Sequence, residues 1–402
     1  MIGNPFFSEN RGRPVCAVVV LVLVAAMVMV AGCIGNDAKS DQDIHIIKLN
    51  QDGSVAWTKV IDTGKDDEVN DIIQTSDGGY IVAGGYSIPQ CNQNTHGPTT
   101  ATLTRFSPEG NILWEQNYTL KGKVLLQNDP ENIIAIFQTP DAGFLIVSQY
   151  GMIEKLDSEG NIQWNRTISD KKALQMMIYS TLQTRDGGYI FSGTAVCCDL
   201  IVPKNYTIMV TKLDQNANQS WIQIHNDSKK YAVHSLIELE NNSGYVGWVL
   251  GSTEVVLFDN NGTIMGYPPV KTPGTYDLYK IQAVPGGFFV YQKNFMRDNL
   301  VQEMHFDNKG NPTGNRSLFN ISHSEIVGSR SDETLLTKDL GYLTINVSRA
   351  QLLTANGSVI WDKEIISTDV ANDRYSAHVR RLIETDDGGF LVVYGIEKLT
   401  LC

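Results

Sequence analysis

Residues 74–86 read Q-T-S-D-G-G-Y-I-V-A-G-G-Y, two short apolar runs hinged at a glycine turn. The kernel Asp77-Gly78-Gly79-Tyr80 returns six more times: Asp141-Ala142-Gly143-Phe144, Asp186-Gly187-Gly188-Tyr189, Asn242-Ser243-Gly244-Tyr245, Pro285-Gly286-Gly287-Phe288, Asp339-Leu340-Gly341-Tyr342 and Asp387-Gly388-Gly389-Phe390. The third-position glycine and the aromatic after it are present in every copy. A glycine there is expected to supply the positive φ of a tight hairpin, and an aromatic opening the return strand suits a packed, pleated surface. Each copy therefore reads as a β-hairpin. Successive third-position glycines lie 43 to 64 residues apart, a loose period that signals a stacked or circular array.

A second kind of hairpin alternates with the first. Residues 44–60 read I-H-I-I-K-L-N-Q-D-G-S-V-A-W-T-K-V, and the pattern recurs at 102–118, 152–168, 207–224, 254–267, 301–318 and 350–365. Asp or Asn early in its turn can hydrogen-bond the turn backbone, and the later glycine supplies a left-handed residue. Trp57, Trp114, Trp164, Trp221 and Trp361 stand four residues after that glycine, or after Ala217 in its place; Gly266 and Gly314 hold the position in two copies. A periodic tryptophan of this kind is expected to be a core wedge. Seven hairpins of each kind predict an all-β chain, a seven-bladed β-propeller of four-stranded antiparallel blades. The chain begins with the second kind and finishes with the first, so the last blade should combine strands from both ends and remove a free edge. Residues 394–401, Y-G-I-E-K-L-T-L, copy 150–157, Y-G-M-I-E-K-L-D, which leaves open eight blades with an incomplete last one.

Q-T-S-D-G-G-Y-I-V-A-G followed by K-L-D-S-E-G-N-I-Q-W resembles the D-G-G-Y repeat proteins of archaeal and bacterial cell surfaces, and the resemblance covers residues 44–401. It implies a surface propeller without an assigned activity. That family's acidic D-D-x-x-N entry to the hairpin is matched at Asp66-Asp67-Glu68-Val69-Asn70 and more weakly at Asn128-Asp129-Pro130-Glu131-Asn132. The L-D-x-x-G-x-x-x-W half is similar to the repeat of PQQ-type quinoprotein propellers, a likeness of short segments and of fold alone.

The N-terminus reads as a targeting segment. Arg11 and Arg13 precede an uncharged run from 15 to 31 that closes in Val30-Ala31-Gly32-Cys33. This tetrapeptide resembles the lipobox of prokaryotic lipoproteins, which implies a signal peptide at 1–33, lipid on Cys33, a polar tether at 34–43 and the propeller at 44–402. An uncleaved signal anchor is the other reading, and both place the chain after the apolar run outside the cell, on the outer face of the cytoplasmic membrane. Eleven Asn-X-Ser/Thr sequons, at Asn117, Asn165, Asn205, Asn218, Asn226, Asn241, Asn261, Asn315, Asn320, Asn346 and Asn356, exceed chance and fit a glycosylated surface protein; an Asn- and Thr-rich turn vocabulary explains part of the excess. With Cys16 in the signal and Cys33 lipidated, Cys91, Cys197, Cys198 and Cys402 remain for an oxidising compartment. A net charge of −12 speaks against nucleic acid as partner.

Nucleotide-binding, serine-hydrolase, zincin and C-x-x-C signatures are all absent from the sequence. His45, His225, His234, His305 and His378 lack the spacing of metal ligands. Asp62, Asp66, Asp67, Glu68 and Asp71 could offer oxygen to calcium, but not in the order of a known loop. The vicinal pair Cys197-Cys198 is similar to the adjacent cysteines beside the cofactor of quinoprotein alcohol dehydrogenases, although a loop staple is the simpler use. No cofactor is therefore expected, with calcium and PQQ as the two the residues leave open. The leading functional reading is an extracellular, membrane-anchored module that binds or scaffolds an envelope protein or glycan; a quinoprotein-like or carbohydrate-active envelope enzyme is the other. In up-and-down blades the hairpin turns share one face and the longer, dissimilar links share the opposite one. Variable loops on a rigid scaffold are the usual place for recognition, so the link face, around Asp66, Asp67, Asn92, His96, Asp129 and Asp373, is the expected binding surface.

Overall fold

The computed structural model describes residues 42–87, 100–118, 120, 132–171, 173–197, 207–226, 232–249, 254–270, 276–294, 300–320, 333–339, 341–346, 348–354, 356–366 and 375–398. Seven four-stranded antiparallel sheets stand in a ring, a seven-bladed β-propeller. Blades 1 to 6 take their strands in chain order from residues 66–118, 133–167, 173–226, 233–266, 276–320 and 333–364. First strands of neighbouring blades pack on one another at six of the seven junctions, including that of blades 7 and 1, so they line the centre. Second and third strands are sandwiched between blades, as in Phe144–Ser148 and Met152–Leu156, whose every residue is buried. Fourth strands such as Ile162–Thr167 lie at the rim, largely exposed.

Blade 7 joins the two ends of the chain. Tyr375–Glu384 and Phe390–Lys398 supply its first two strands, and Gln42–Leu49 and Val55–Ile61 its last two. Gln42 pairs with Glu397 and Leu49 with Phe390, an unbroken register along the seam. The eight-blade architecture fails for a local reason. In blade 2 the chain leaves its second strand at Ser148 and reverses through Tyr150 and the left-handed Gly151 (φ 84°) into the third. In blade 7 the matching Tyr394-Gly395 stays extended within Phe390–Lys398, and the N-terminal strand takes the third place. That strand opens at Gln42, two residues inside the expected tether.

The kernel glycines act differently from expectation. The left-handed position is the second, held by Gly78, Ala142, Gly187, Gly286 and Gly388 with φ between 59° and 83°. The third-position glycine has the expected positive φ only at Gly244 (109°) and is otherwise required by contact: a Cβ on Gly79, Gly143, Gly188, Gly244, Gly287, Gly341 or Gly389 would run into the backbone carbonyl of Phe106, Leu156, Leu213, Phe258, Phe306, Leu353 or Leu49 on the third strand. Only a residue without a side chain lets the hairpin lie this close. The aromatic that follows is buried in each blade. Apolar burial is distributed around the ring in clusters that each bridge two neighbouring blades, for example Leu145, Ile153, Tyr189, Phe191 and Met209 between blades 2 and 3.

Candidate binding site between two blades

Two repeating devices hold the turn face, and a cavity opens where one of them is altered. The first is a clasp. In blades 1, 2, 3 and 7 the kernel Asp accepts a hydrogen bond from the hydroxyl of the Thr two residues before it and from the N–H of the Gly two residues after it. Each such Asp is also paired with a cation rooted in the third strand: Asp77 with Arg105 at 2.6 Å, Asp141 with Lys155 at 2.9 Å, Asp186 with Lys212 at 2.7 Å and Asp387 with Lys48 at 2.9 Å. The cations are buried and the carboxylates half in water. Lys48 and Lys155 also donate to the carbonyl of the next residue, so little of each ammonium is left unsatisfied. All four carboxyls are held down at about 2. At Asp77, Asp186 and Asp387 burial pushes upward and is outweighed by the Thr, Lys or Arg, and Gly donors; at Asp141 the Thr139 hydroxyl and Lys155 lead.

The second device is a tryptophan staple between blades. Trp57, Trp114 and Trp361, on fourth strands, donate their indole N–H to Pro108, Ser158 and Gln51 in the third-to-fourth-strand turn of the next blade, at 2.9 to 3.1 Å. Each ring also meets the next blade's kernel aromatic edge-on, Tyr80, Phe144 and Phe390 respectively. The turn glycine lies directly on the indole: a Cβ on Gly110 would stand 2.7 Å from Trp57, one on Gly53 2.7 Å from Trp361, and one on Gly160 3.1 Å from Trp114. Trp221 presses on Gly262 in the same manner. These tryptophans are thus half-buried staples at the rim rather than core wedges, although Trp361 is nearly covered.

Between blades 2 and 3 the staple is not made in this way. Ala217 replaces the turn glycine, at φ 57°, in the position where a Cβ on the glycines of other blades would run into the indole. No acceptor among the described residues takes the Trp164 indole N–H, and no edge-on contact joins Trp164 to the kernel Tyr189. Arg166 takes over the bridging. Its guanidinium lies 4.2 Å over the Trp164 ring and donates to Asn216 O (2.9 Å) and Asn218 Oδ1 (2.7 Å). A cavity of about 550 Å³ opens beneath, lined by Thr139, Asp141, Lys155, Trp164, Tyr189 and Gln215 among others. Tyr189 is 1% exposed and its hydroxyl has no hydrogen-bond partner among the described residues; burial and then the Asp141 charge push its pKa up.

Of the expected link-face residues, Asn92, His96, Asp129 and Asp373 lie outside the described residues. Asp67 is buried, and its two oxygens accept the Thr63 hydroxyl (2.7 Å) and N–H (2.8 Å). Asp66 is half-buried beside it. The acidic cluster is split by the fold: Asp62 and Asp67 converge with Asp43, carboxylate oxygens within 4.8 Å of one another, while Glu68 is exposed elsewhere. Asp71 is half-buried and accepts the Ile136 N–H at 2.9 Å; desolvation raises its pKa. Asp62 accepts from Gly64 N at 2.8 Å, so these carboxylates already serve their own loop. Among the sequons, Asn117, Asn165, Asn218, Asn261, Asn315 and Asn356 are exposed. Asn205 and Cys33 lie outside the described residues, as do Cys91, Cys198 and Cys402, and Asn226, Asn241, Asn320 and Asn346 fall where only the backbone is described.

The cavity, with its aromatic wall, ion pair and amide rim, belongs to a closed seven-bladed propeller. No protein-family model and no curated protein matches the chain. Similar solved structures include BamB from Moraxella catarrhalis (10% identity, 88% of this chain and 91% of that one, TM-score 0.42). YCF48 bound to D1 peptide is similar at 12% identity over 89% and 97% of the two chains, TM-score 0.47. The Pan2 WD40 domain of Neurospora crassa is similar at 8% identity over 84% and 90%, TM-score 0.48. At these identities the likeness concerns overall shape only, and the fold rests on the strand pairing itself.

Proposed function

We propose that this chain is a binding or scaffold module of the cell envelope, carried outside the cytoplasmic membrane on lipid at Cys33, and that it holds a partner rather than transforming one. The observation that carries this reading is the altered junction between blades 2 and 3. A ring fastened by repeated clasps and staples is a rigid support, and a mixed polar and aromatic cavity at a junction where the repeat departs from its rule is what a recognition site requires. Asp66 and Asp67, the expected link-face residues described, are bound into their own strand and loop, which moves the candidate site to the turn face. The V-A-G-C sequence and the sequon excess support the outside address. Co-purification from solubilised native envelope, wild type against Cys33→Ser, tests both parts. The expected result is a reproducible envelope protein or glycan with the wild type, and loss of membrane partitioning in the variant. A wild-type preparation that brings down nothing would defeat the binding reading, and unchanged partitioning and mass of Cys33→Ser would defeat the lipid anchor.

A further inference from the structure

We propose that the cavity between blades 2 and 3 is a subsite for a neutral pyranose ring, and that the methyl group of Ala217 keeps it open. This rests on the reading of the chain as a binding module and gives that module a ligand class. The volume, about 550 Å³, falls in the range of small-molecule sites. The lining offers what a sugar presents in return. Trp164, with Arg166 stacked over its ring, supplies the aromatic part of the wall that can meet the C–H groups of a sugar. Asp141, whose side chain is 57% exposed, keeps carboxylate oxygen available to accept hydroxyl protons, and Gln215 and Asn216 add exposed amide-bearing side chains at the rim. Tyr189 brings a hydroxyl with no partner among the described residues into the same wall. Both cations are already matched. Lys155 holds Asp141 and Leu156 O, and Arg166 holds Asn216 O and Asn218 Oδ1. An anionic ligand would have to break one of these sets, whereas a polyol can bond to their free edges.

Ala217 sets the state of the site. Where glycine stands in the turn, at Gly53, Gly110 and Gly160, the indole of the preceding blade closes against it. Ala217→Gly removes both the methyl and the left-handed strain, so Trp164 can take the seat its counterparts hold. The full-length detergent-solubilised protein is titrated with glucose, N-acetylglucosamine and glucuronate, with saturation-transfer NMR as the readout and a thermal melt to verify folding. The expected result is millimolar binding of a neutral sugar that falls at least tenfold in both Ala217→Gly and Trp164→Ala. Absence of neutral-sugar binding by the folded wild type, or binding that both variants retain, overturns the proposal; so does glucuronate bound tenfold more tightly than glucose. Co-purification of an envelope protein together with failure of every sugar would remove this inference and leave the binding module standing.

Discussion

Asp387→Asn separates charge from shape at the seam that closes the ring. Asp387 sits in the kernel turn near the C-terminus, and its partner Lys48 comes from the N-terminal strand 339 residues away. Asparagine can still accept from Thr385 and Gly389, so the substitution chiefly removes the ion pair at 2.9 Å. The ammonium is buried, with 4% of the side chain exposed, while the carboxylate is 59% exposed. A fully buried pair broken on one side costs about 3 to 5 kcal/mol and an exposed one about 0 to 1, so this half-solvated pair should cost about 1 to 2 kcal/mol. At about 2.1 cal/mol/K of unfolding entropy per residue, that is a fall in Tm of about 1 to 3 °C for a domain of this length. The sign with pH follows from the depressed carboxyl. Its pKa falls from 3.8 to about 2 on folding, so the contribution is complete above 3.8 and is lost as pH falls through about 2. The gap between the thermal melts of the two proteins should therefore narrow from pH 7 to about pH 3, inside the window between the two pKa values. Lys48→Met in the Asp387→Asn background should recover part of the loss, because it removes the stranded ammonium. Asp386→Asn is the control, since its link to Lys338 is exposed on both sides and 3.3 Å long. Equal melts of wild type and Asp387→Asn at pH 7, or a gap undiminished in acid, would refute the argument.

The two kernel glycines should respond differently to alanine. Gly78→Ala should cost about 1 kcal/mol, because Ala142 already occupies the equivalent left-handed place, whereas Gly79→Ala should cost more than about 3 kcal/mol by driving a methyl into the Phe106 carbonyl. Urea unfolding of the pair decides this, and equal midpoints would show that the close approach is unimportant. Tyr189→Ala should cost about 3 to 5 kcal/mol, since the ring is 1% exposed and packs on Phe137 at 5.1 Å between centroids; an unchanged melt would remove Tyr189 from the core. Acid titration of the wild type should show cooperative loss of structure concentrated between pH 4 and pH 2, where Asp77, Asp141, Asp186 and Asp387 together take up protons. Circular dichroism that stays flat through this window would mean that the four clasps do not support the fold.

Blade number and seam were legible because they depend on local pattern: glycine kernels, alternating apolar residues and the order of hairpin types are all written in short windows. The third-position glycine was found for the wrong physical reason, since a window around Gly79 does not contain Phe106, whose carbonyl excludes the side chain. The clasp had a signal that went unread. Thr and Asp stand two apart at 75 and 77, 139 and 141, 184 and 186, and 385 and 387, and a cation stands at 105, 155, 212 and 48 in the same blades. In blades 4 and 5 the kernel Asp gives way to Asn242 or Pro285, and the cation to Leu257 or His305. Blade 6 keeps Thr337 and Asp339 but has Leu352, and there the Thr337 hydroxyl accepts from Gly341 N instead. Loss of the two partners together in blades 4 and 5 is what pairing requires, because a buried lysine without its carboxylate is costly. The cavity was harder to foresee. Ala217 looks like a mild variation within its own repeat and Trp164 like a regular copy in its own, and only the ring, which sets the turn of one blade on the indole of the one before, makes them a single feature. A circular repeat therefore conceals its specific sites at junctions: the departure that matters is between a residue in one copy and a residue about fifty positions away in the next.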